Sequence, residues 1–130
     1  MMVSGSLTDR RILVVEDEYI LARQLVRALT QEGAVVLGPV PDVARALAMI
    51  GEGQGEIDVA ILDVNLVGEK VYPVADALLD QGVPFLFASG YDADESGLRF
   101  TGIRHLVKPL MMKSLVAALV AEMDAAPDDR

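Results

Sequence analysis

The sequence predicts an α/β domain, a single parallel sheet with helices wound over both faces. Three observations lead there. Short apolar runs alternate along the chain with segments of helical periodicity. The central runs are nearly continuous Val, Ile, Leu and Phe and lack the alternation of a half-exposed strand, so both of their faces must be covered. A chain of 130 residues, 52% hydrophobic, is sufficient for one core and short for two. Right-handed crossovers between parallel strands then distribute the helices on both sides, making the sheet doubly wound.

Each element can be justified in turn. Residues 1–10 are polar and unpatterned, with Ser4-Gly5-Ser6, and are expected to fray as a disordered tail. Ile12 to Val15 is a short, largely β-branched apolar run that suits a buried strand. From Glu18 to Glu32, Leu21, Leu25, Ala28 and Leu29 recur at helical spacing, and Gly33 supplies a stop. Ala34 to Gly38 is the second strand. Asp42 caps a helix carrying Val43, Ala46, Leu47 and Ile50, and a glycine-rich loop follows from Gly51 to Gly55. Its alternating glycines follow a helix and do not end a strand, which speaks against a phosphate-cradling loop. Ile57 to Leu62 is the third strand, with a loop and a helix near Val71 to Gln81 after it. Pro84 to Ala88 is the fourth strand and Ile103 to Val107 a shorter fifth. Between them, Asp92 to Gly102 contains Gly97, Thr101 and little apolar periodicity, so the fourth helix is expected to be short or irregular. The last helix, Met112 to Met123, carries Leu115, Val116, Leu119 and Met123, and its methionines read as packing. Residues 125–130 form a second polar tail, leaving 11–124 as the folded domain.

Composition removes several function classes. The formal charge is −9, which disfavours binding to nucleic acid or an anionic membrane and allows a cation. The acid excess concentrates at Glu16-Asp17-Glu18 with Asp63, at Asp92 to Glu95, and from Glu122 to the end. With no cysteine there is no disulfide, thiolate zinc site or thiol nucleophile, and one histidine cannot make a histidine-rich metal site. No apolar run approaches the roughly 20 residues of a membrane span, and no signal-peptide core is present, so a cytoplasmic protein is expected.

In open α/β sheets ligands bind beyond the carboxyl ends of the strands. Here the first strand runs into Glu16-Asp17-Glu18, the third into Asp63-Val64-Asn65, the fourth into Ser89-Gly90-Tyr91 and the fifth into Lys108-Pro109. Taken singly, each is more often a helix cap, a turn residue or an exposed lysine. Together they would bring carboxylates, a hydroxyl and an ammonium to one sheet edge. Crowded carboxylates require protonation or a cation. A hard divalent ion such as Mg2+ suits them, with Asp17 and Asp63 as ligands, Glu16 acting through water and the Asn65 carbonyl as a backbone ligand. Lys108 and Ser89 would then meet an anion held there.

On these residues the sequence resembles the receiver domain of two-component response regulators, the CheY-like family, from Arg11 to about Met123. The resemblance implies a flavodoxin-like sheet in strand order 2-1-3-4-5. It implies that Asp63 accepts a phosphoryl group from the phosphohistidine of a sensor histidine kinase or histidine phosphotransfer protein. Glu16, Asp17, Asp63 and Asn65 would hold Mg2+, Lys108 would contact the phosphoryl group, and Ser89 would be the switch hydroxyl. Lys108-Pro109 matches a peptide bond usually found cis. Pro84 to Tyr91 is similar to the alphaproteobacterial subgroup marked by a Phe-Ala-Thr-Gly-Tyr motif, in which the fourth helix is often irregular. One departure matters: the usual aromatic position three before Lys108 is His105. It reads either as an exposed strand residue or as an unusual switch element that would change charge near neutral pH. Arg23 and Arg27 read as a solvated face of the first helix, which in receivers often docks the phosphodonor.

The expectation is therefore a phosphoacceptor switch rather than a turnover enzyme, without an attached output domain and acting through an unnamed protein target; a weak homodimer is compatible with it. Alternatives are a receiver excised from a hybrid histidine kinase or longer regulator, and a phosphorylation-independent pseudo-receiver. A phosphatase of the haloacid dehalogenase type is disfavoured, because its Asp-x-Asp would follow the first strand, where Glu16-Asp17-Glu18 stands.

Overall fold

The structure, a computed structural model, describes residues 6–51, 56–90 and 100–125. Five strands form one parallel sheet: β1 (Arg11–Val15), β2 (Val35–Val40), β3 (Val59–Asp63), β6 (Phe85–Ser89) and β7 (His105–Val107), in the order β2-β1-β3-β6-β7. Two further two-residue strands, β4 (Asn65–Leu66) and β5 (Glu69–Lys70), make a separate antiparallel hairpin. The described helices are α1 (Tyr19–Gln31), α2 (Val43–Gly51), α3 (Tyr72–Asp80) and α4 (Met112–Ala125). This is the flavodoxin-like, doubly wound sheet of the sequence expectation, its order 2-1-3-4-5 counted without the hairpin.

The apolar runs explain the layers. Leu13, Val15, Ala60, Leu62, Phe85 and Phe87 face α2 and α3, burying Val43, Ala46, Ile50, Val74, Ala75 and Leu78. The intervening Ile12, Val14, Val59, Ile61 and Leu86 face α1 and α4, against Leu25, Leu29, Leu115 and Leu119. Both faces of β1, β3 and β6 are thus packed, which is why these strands carry no polar alternation. Phe100 is buried in the core, with its ring centroid 5.4 Å from that of Phe87 in a T-shaped contact.

Gly38 has a local structural reason. Its φ is +97°, and a Cβ there would lie 2.9 Å from the Val14 carbonyl oxygen. The register between β1 and β2 shifts at this point, so β2 passes Pro39 and ends at Val40. The Val40 carbonyl then accepts the Glu16 N–H at 3.0 Å, fixing the first acidic residue after β1.

Two expectations change. Residues 6–10 do not fray: the Leu7 N–H donates to the Glu32 carbonyl at 3.1 Å, the Asp9 N–H to the Gly33 carbonyl at 2.9 Å, and Leu7 is fully buried. A single leucine in a polar stretch contributes no periodicity, yet it fills the cluster between α1 and α4. The segment after β3, expected to be a plain loop, contains the β4–β5 hairpin. The helix expected over Asp92 to Gly102 falls largely outside the described residues, as do Tyr91, residues 1–5, Gly53, Gly55 and residues 126–130.

Candidate functional site

Glu16, Asp17, Asp63, Ser89 and Lys108 lie at the carboxyl edge of the sheet, where parallel strands end together; Asn65 stands just beyond it in β4, and His105 opens β7, paired with Phe87 two residues short of that edge. Asp63 closes β3 and Ser89 closes β6, both almost fully buried, while Glu16 follows β1 and Lys108 follows β7. Carboxylate oxygens of Glu16, Asp17 and Asp63 lie within 4.8 Å of one another. Lys108 Nζ bridges two of them, 3.0 Å from Glu16 Oε1 and 3.3 Å from Asp63 Oδ2. Lys108 is held in turn by its own N–H, which donates to the Ser89 carbonyl at 2.7 Å. The Lys108-Pro109 peptide bond is cis.

Each carboxylate also accepts a backbone N–H from the turn beside it. Glu16 Oε2 accepts from Glu18 at 3.1 Å, Asp63 Oδ1 from Asn65 at 3.2 Å, and Asp17 Oδ2 from Val67 at 2.7 Å. These bonds orient the groups and leave lone pairs for another ligand. Asn65 is exposed; its amide oxygen accepts a hydrogen bond from Lys70 Nζ. Ser89 Oγ and His105 Nε2 are 2.7 Å apart, and the His105 ring centroid is 6.0 Å from that of Phe87. His105 is half-buried and is therefore not the exposed strand residue that one of its readings allowed.

The electrostatics follow from burial. Burial and the adjacent Asp63 charge push the Glu16 carboxyl up from 4.5 to about 7. Burial acts to lower the Lys108 ammonium, but its hydrogen bonds and charge attraction to Glu16 and Asp63 outweigh this and hold it above the usual lysine value. Burial lowers His105, favouring its neutral ring. Glu16 and Asp63 share the Lys108 ammonium, and the Asp17 carboxylate stands beside them. The donor set is hard oxygen on convergent side chains, and its excess negative charge fits a divalent cation such as Mg2+.

With divalent ions chelated, Glu16 keeps its proton in the folded state to about pH 7 but in the unfolded state only to about 4.5. The stabilisation from that proton is complete below about 4.5 and is lost as pH rises through 7. Stability in EDTA should therefore fall from pH 5 to pH 8 by roughly 2 kcal/mol more in the wild type than in Glu16→Gln. Denaturant titrations at the two pH values measure this, and equal pH dependences would contradict it.

Several residues at this edge were not singled out by sequence: Val67, Glu69 and Lys70 of the hairpin. The Glu69 side chain reaches α2, where its Oε2 accepts the Val43 N–H at 3.0 Å. The reversal at Gly68, with φ +77°, was the one available signal.

A family model described as the response regulator receiver domain matches residues 12–120. The chain belongs to that family. Among curated relatives, the transcriptional regulatory protein TcrA of Mycobacterium tuberculosis is 37% identical over 131 residues, covering 97% of this chain and 51% of that protein. This receiver domain thus spans about half the length of curated relatives it matches. The solution structure of SdrG from Sphingomonas melonis Fr1 is 41% identical, with a TM-score of 0.76 over 93% of this chain and 99% of that one. The BeF3-activated conformation of SdrG from Pseudomonas melonis Fr1 is 41% identical with a TM-score of 0.73, over 87% and 95% of the two chains. Among the described residues of this receiver no helix is long and apolar enough to cross a membrane.

Proposed function

We propose that Asp63 is the phosphoacceptor of this receiver and that Glu16, Asp17, Asp63 and the Asn65 carbonyl hold Mg2+. The observation that carries the reading is the single cluster of buried Asp63, two further carboxylates and the Lys108 ammonium at the end of the central strand. A carboxylate oxygen of Asp63 attacks the phosphorus of a phosphohistidine. The new P–O bond forms as the P–N bond breaks, and the released imidazole takes up a proton. Asp63 enters as the carboxylate and needs no base. Lys108 Nζ, already beside Asp63 Oδ2, moves onto the incoming phosphoryl oxygens and stabilises their charge without giving up its proton. Bound Mg2+ would supply further charge neutralisation on those oxygens and align them.

The Ser89 hydroxyl reports the change. It pairs with His105, and a phosphoryl group on Asp63 gives it a stronger, charged acceptor. Releasing His105 would then alter the β6–β7 edge and the surface beside it. His105 thus occupies the switch role usually given to an aromatic ring. The likeness of Pro84 to Gly90 to the Phe-Ala-Thr-Gly-Tyr subgroup, with Ser89 at the threonine position, supports membership in it.

The proposed phosphodonor is a sensor histidine kinase or histidine phosphotransfer protein. The exposed face of α1 supports that choice: Tyr19 and Ile20 stand out into solvent beside Arg23, whose guanidinium lies 5.6 Å over the Tyr19 ring. The functional unit is residues 11–124 with segment 6–10 packed onto it, and it catalyses only its own phosphotransfer and dephosphorylation. A cytoplasmic setting accords with a cytosolic phosphodonor. Incubation with Mg2+ and a small acyl phosphate should add one phosphoryl group to the intact mass, and EDTA should prevent the gain. A gain unaffected by EDTA would refute the metal role.

A further inference from the structure

The β4–β5 hairpin lies between the acidic cluster and the start of α2, and it is bonded to both. On one side the Val67 N–H, at an otherwise exposed hairpin tip, donates to Asp17 Oδ2 at 2.7 Å. On the other, Glu69 Oε2 accepts the Val43 N–H at the first turn of α2, at 3.0 Å. Within the hairpin, Lys70 Nζ donates to the Asn65 amide oxygen, and the Asn65 N–H donates to Asp63 Oδ1 at 3.2 Å. Asp17 is the least buried of the three clustered acids, so it depends most on such a bond for its orientation. With one oxygen held by Val67, its carboxylate is fixed relative to Glu16 and Asp63 before any cation arrives.

We propose that the Asn65–Lys70 hairpin is a positioning element for the cation site, and that Glu69 pins it against α2 so that Val67 N–H holds Asp17 in place. The inference rests on the reading of Glu16, Asp17 and Asp63 as a cation site. Glu69 is a positioning residue; among the described residues its side-chain hydrogen bond is to α2 and not to the cluster, and it acts through the hairpin backbone. Partners that orient a metal ligand from one step away commonly change affinity by one to two orders of magnitude.

An ordinary helix-start effect can be separated from this one. Asp42 also caps α2, its Oδ1 accepting the Arg45 N–H at 2.8 Å, and no hydrogen bond joins it to the hairpin among the described residues. Asp42→Ala therefore weakens the same helix end and removes the same unit of charge. Glu69→Gln removes the charge but keeps an oxygen that can accept from Val43.

The test is Mg2+ affinity by calorimetric titration, together with amide exchange at Val67 measured without metal. Glu69→Ala should bind Mg2+ about tenfold more weakly than wild type and exchange faster at Val67. Asp42→Ala should match wild type in both, and Glu69→Gln should recover most of the affinity. Wild-type affinity and Val67 exchange in Glu69→Ala, or an equal loss in Asp42→Ala, would overturn the positioning role while leaving the cation site standing. Absence of Mg2+ binding by the wild type would remove the cation site and this inference with it.

Discussion

Asp63→Asn should take up no phosphoryl group from an acyl phosphate or a phosphohistidine donor, under conditions where the wild type is labelled. The amide has the same shape but lacks the anionic oxygen that makes the new P–O bond. The loss should not come from unfolding. Asp63 is a buried acid whose charge raises Glu16, and removing that charge relieves the repulsion. Lys108 keeps its 3.0 Å pair with Glu16, and an asparagine side-chain oxygen can still accept the Asn65 N–H. Asp63→Asn should therefore be at least as stable as the wild type in EDTA, checked by thermal melting. Wild-type labelling in the variant would sink the assignment.

Lys108→Ala should have the second-largest effect, on two separate quantities. It leaves Glu16 and Asp63 facing each other without their shared counter-charge. Breaking a fully buried pair costs about 3–5 kcal/mol. The Lys108 side chain retains 17% exposure, and Glu16 can take up a proton, so a loss of about 1–3 kcal/mol at pH 8 is expected. The phosphoryl transfer rate should fall about a hundredfold, as when one preorganised charge donor is removed from a developing anion. Labelling time courses at a temperature where the variant is folded separate the two effects. A wild-type rate in Lys108→Ala would exclude the proposed role of the ammonium.

Much of the fold and of the site was legible in sequence for one physical reason. Buried parallel strands have to be apolar along their whole length, so the first polar residue after each run marks the carboxyl edge of the sheet. Val59 to Leu62 followed by Asp63 is such a mark, as is Phe85 to Ala88 followed by Ser89. What escaped notice depends on contacts that residue type does not encode. β4 and β5 are two residues each, too short for any periodicity, and Val67 acts through a backbone N–H that nearly every residue possesses. Leu7 is one apolar residue whose partners come from α1 and α4. The bond between His105 and Ser89 exists because β6 and β7 pair Phe87 with His105, a register the sequence does not display.

The central claim is that this receiver carries its signal on one carboxylate at the end of β3. Fragmentation mass spectrometry of the wild-type protein after incubation with Mg2+ and acyl phosphate, with the aspartyl phosphate trapped by reduction, tests it most directly. The modification is predicted on Asp63 and at no other acid of the cluster. A modification on Glu16 or Asp17, or none at all, would contradict it.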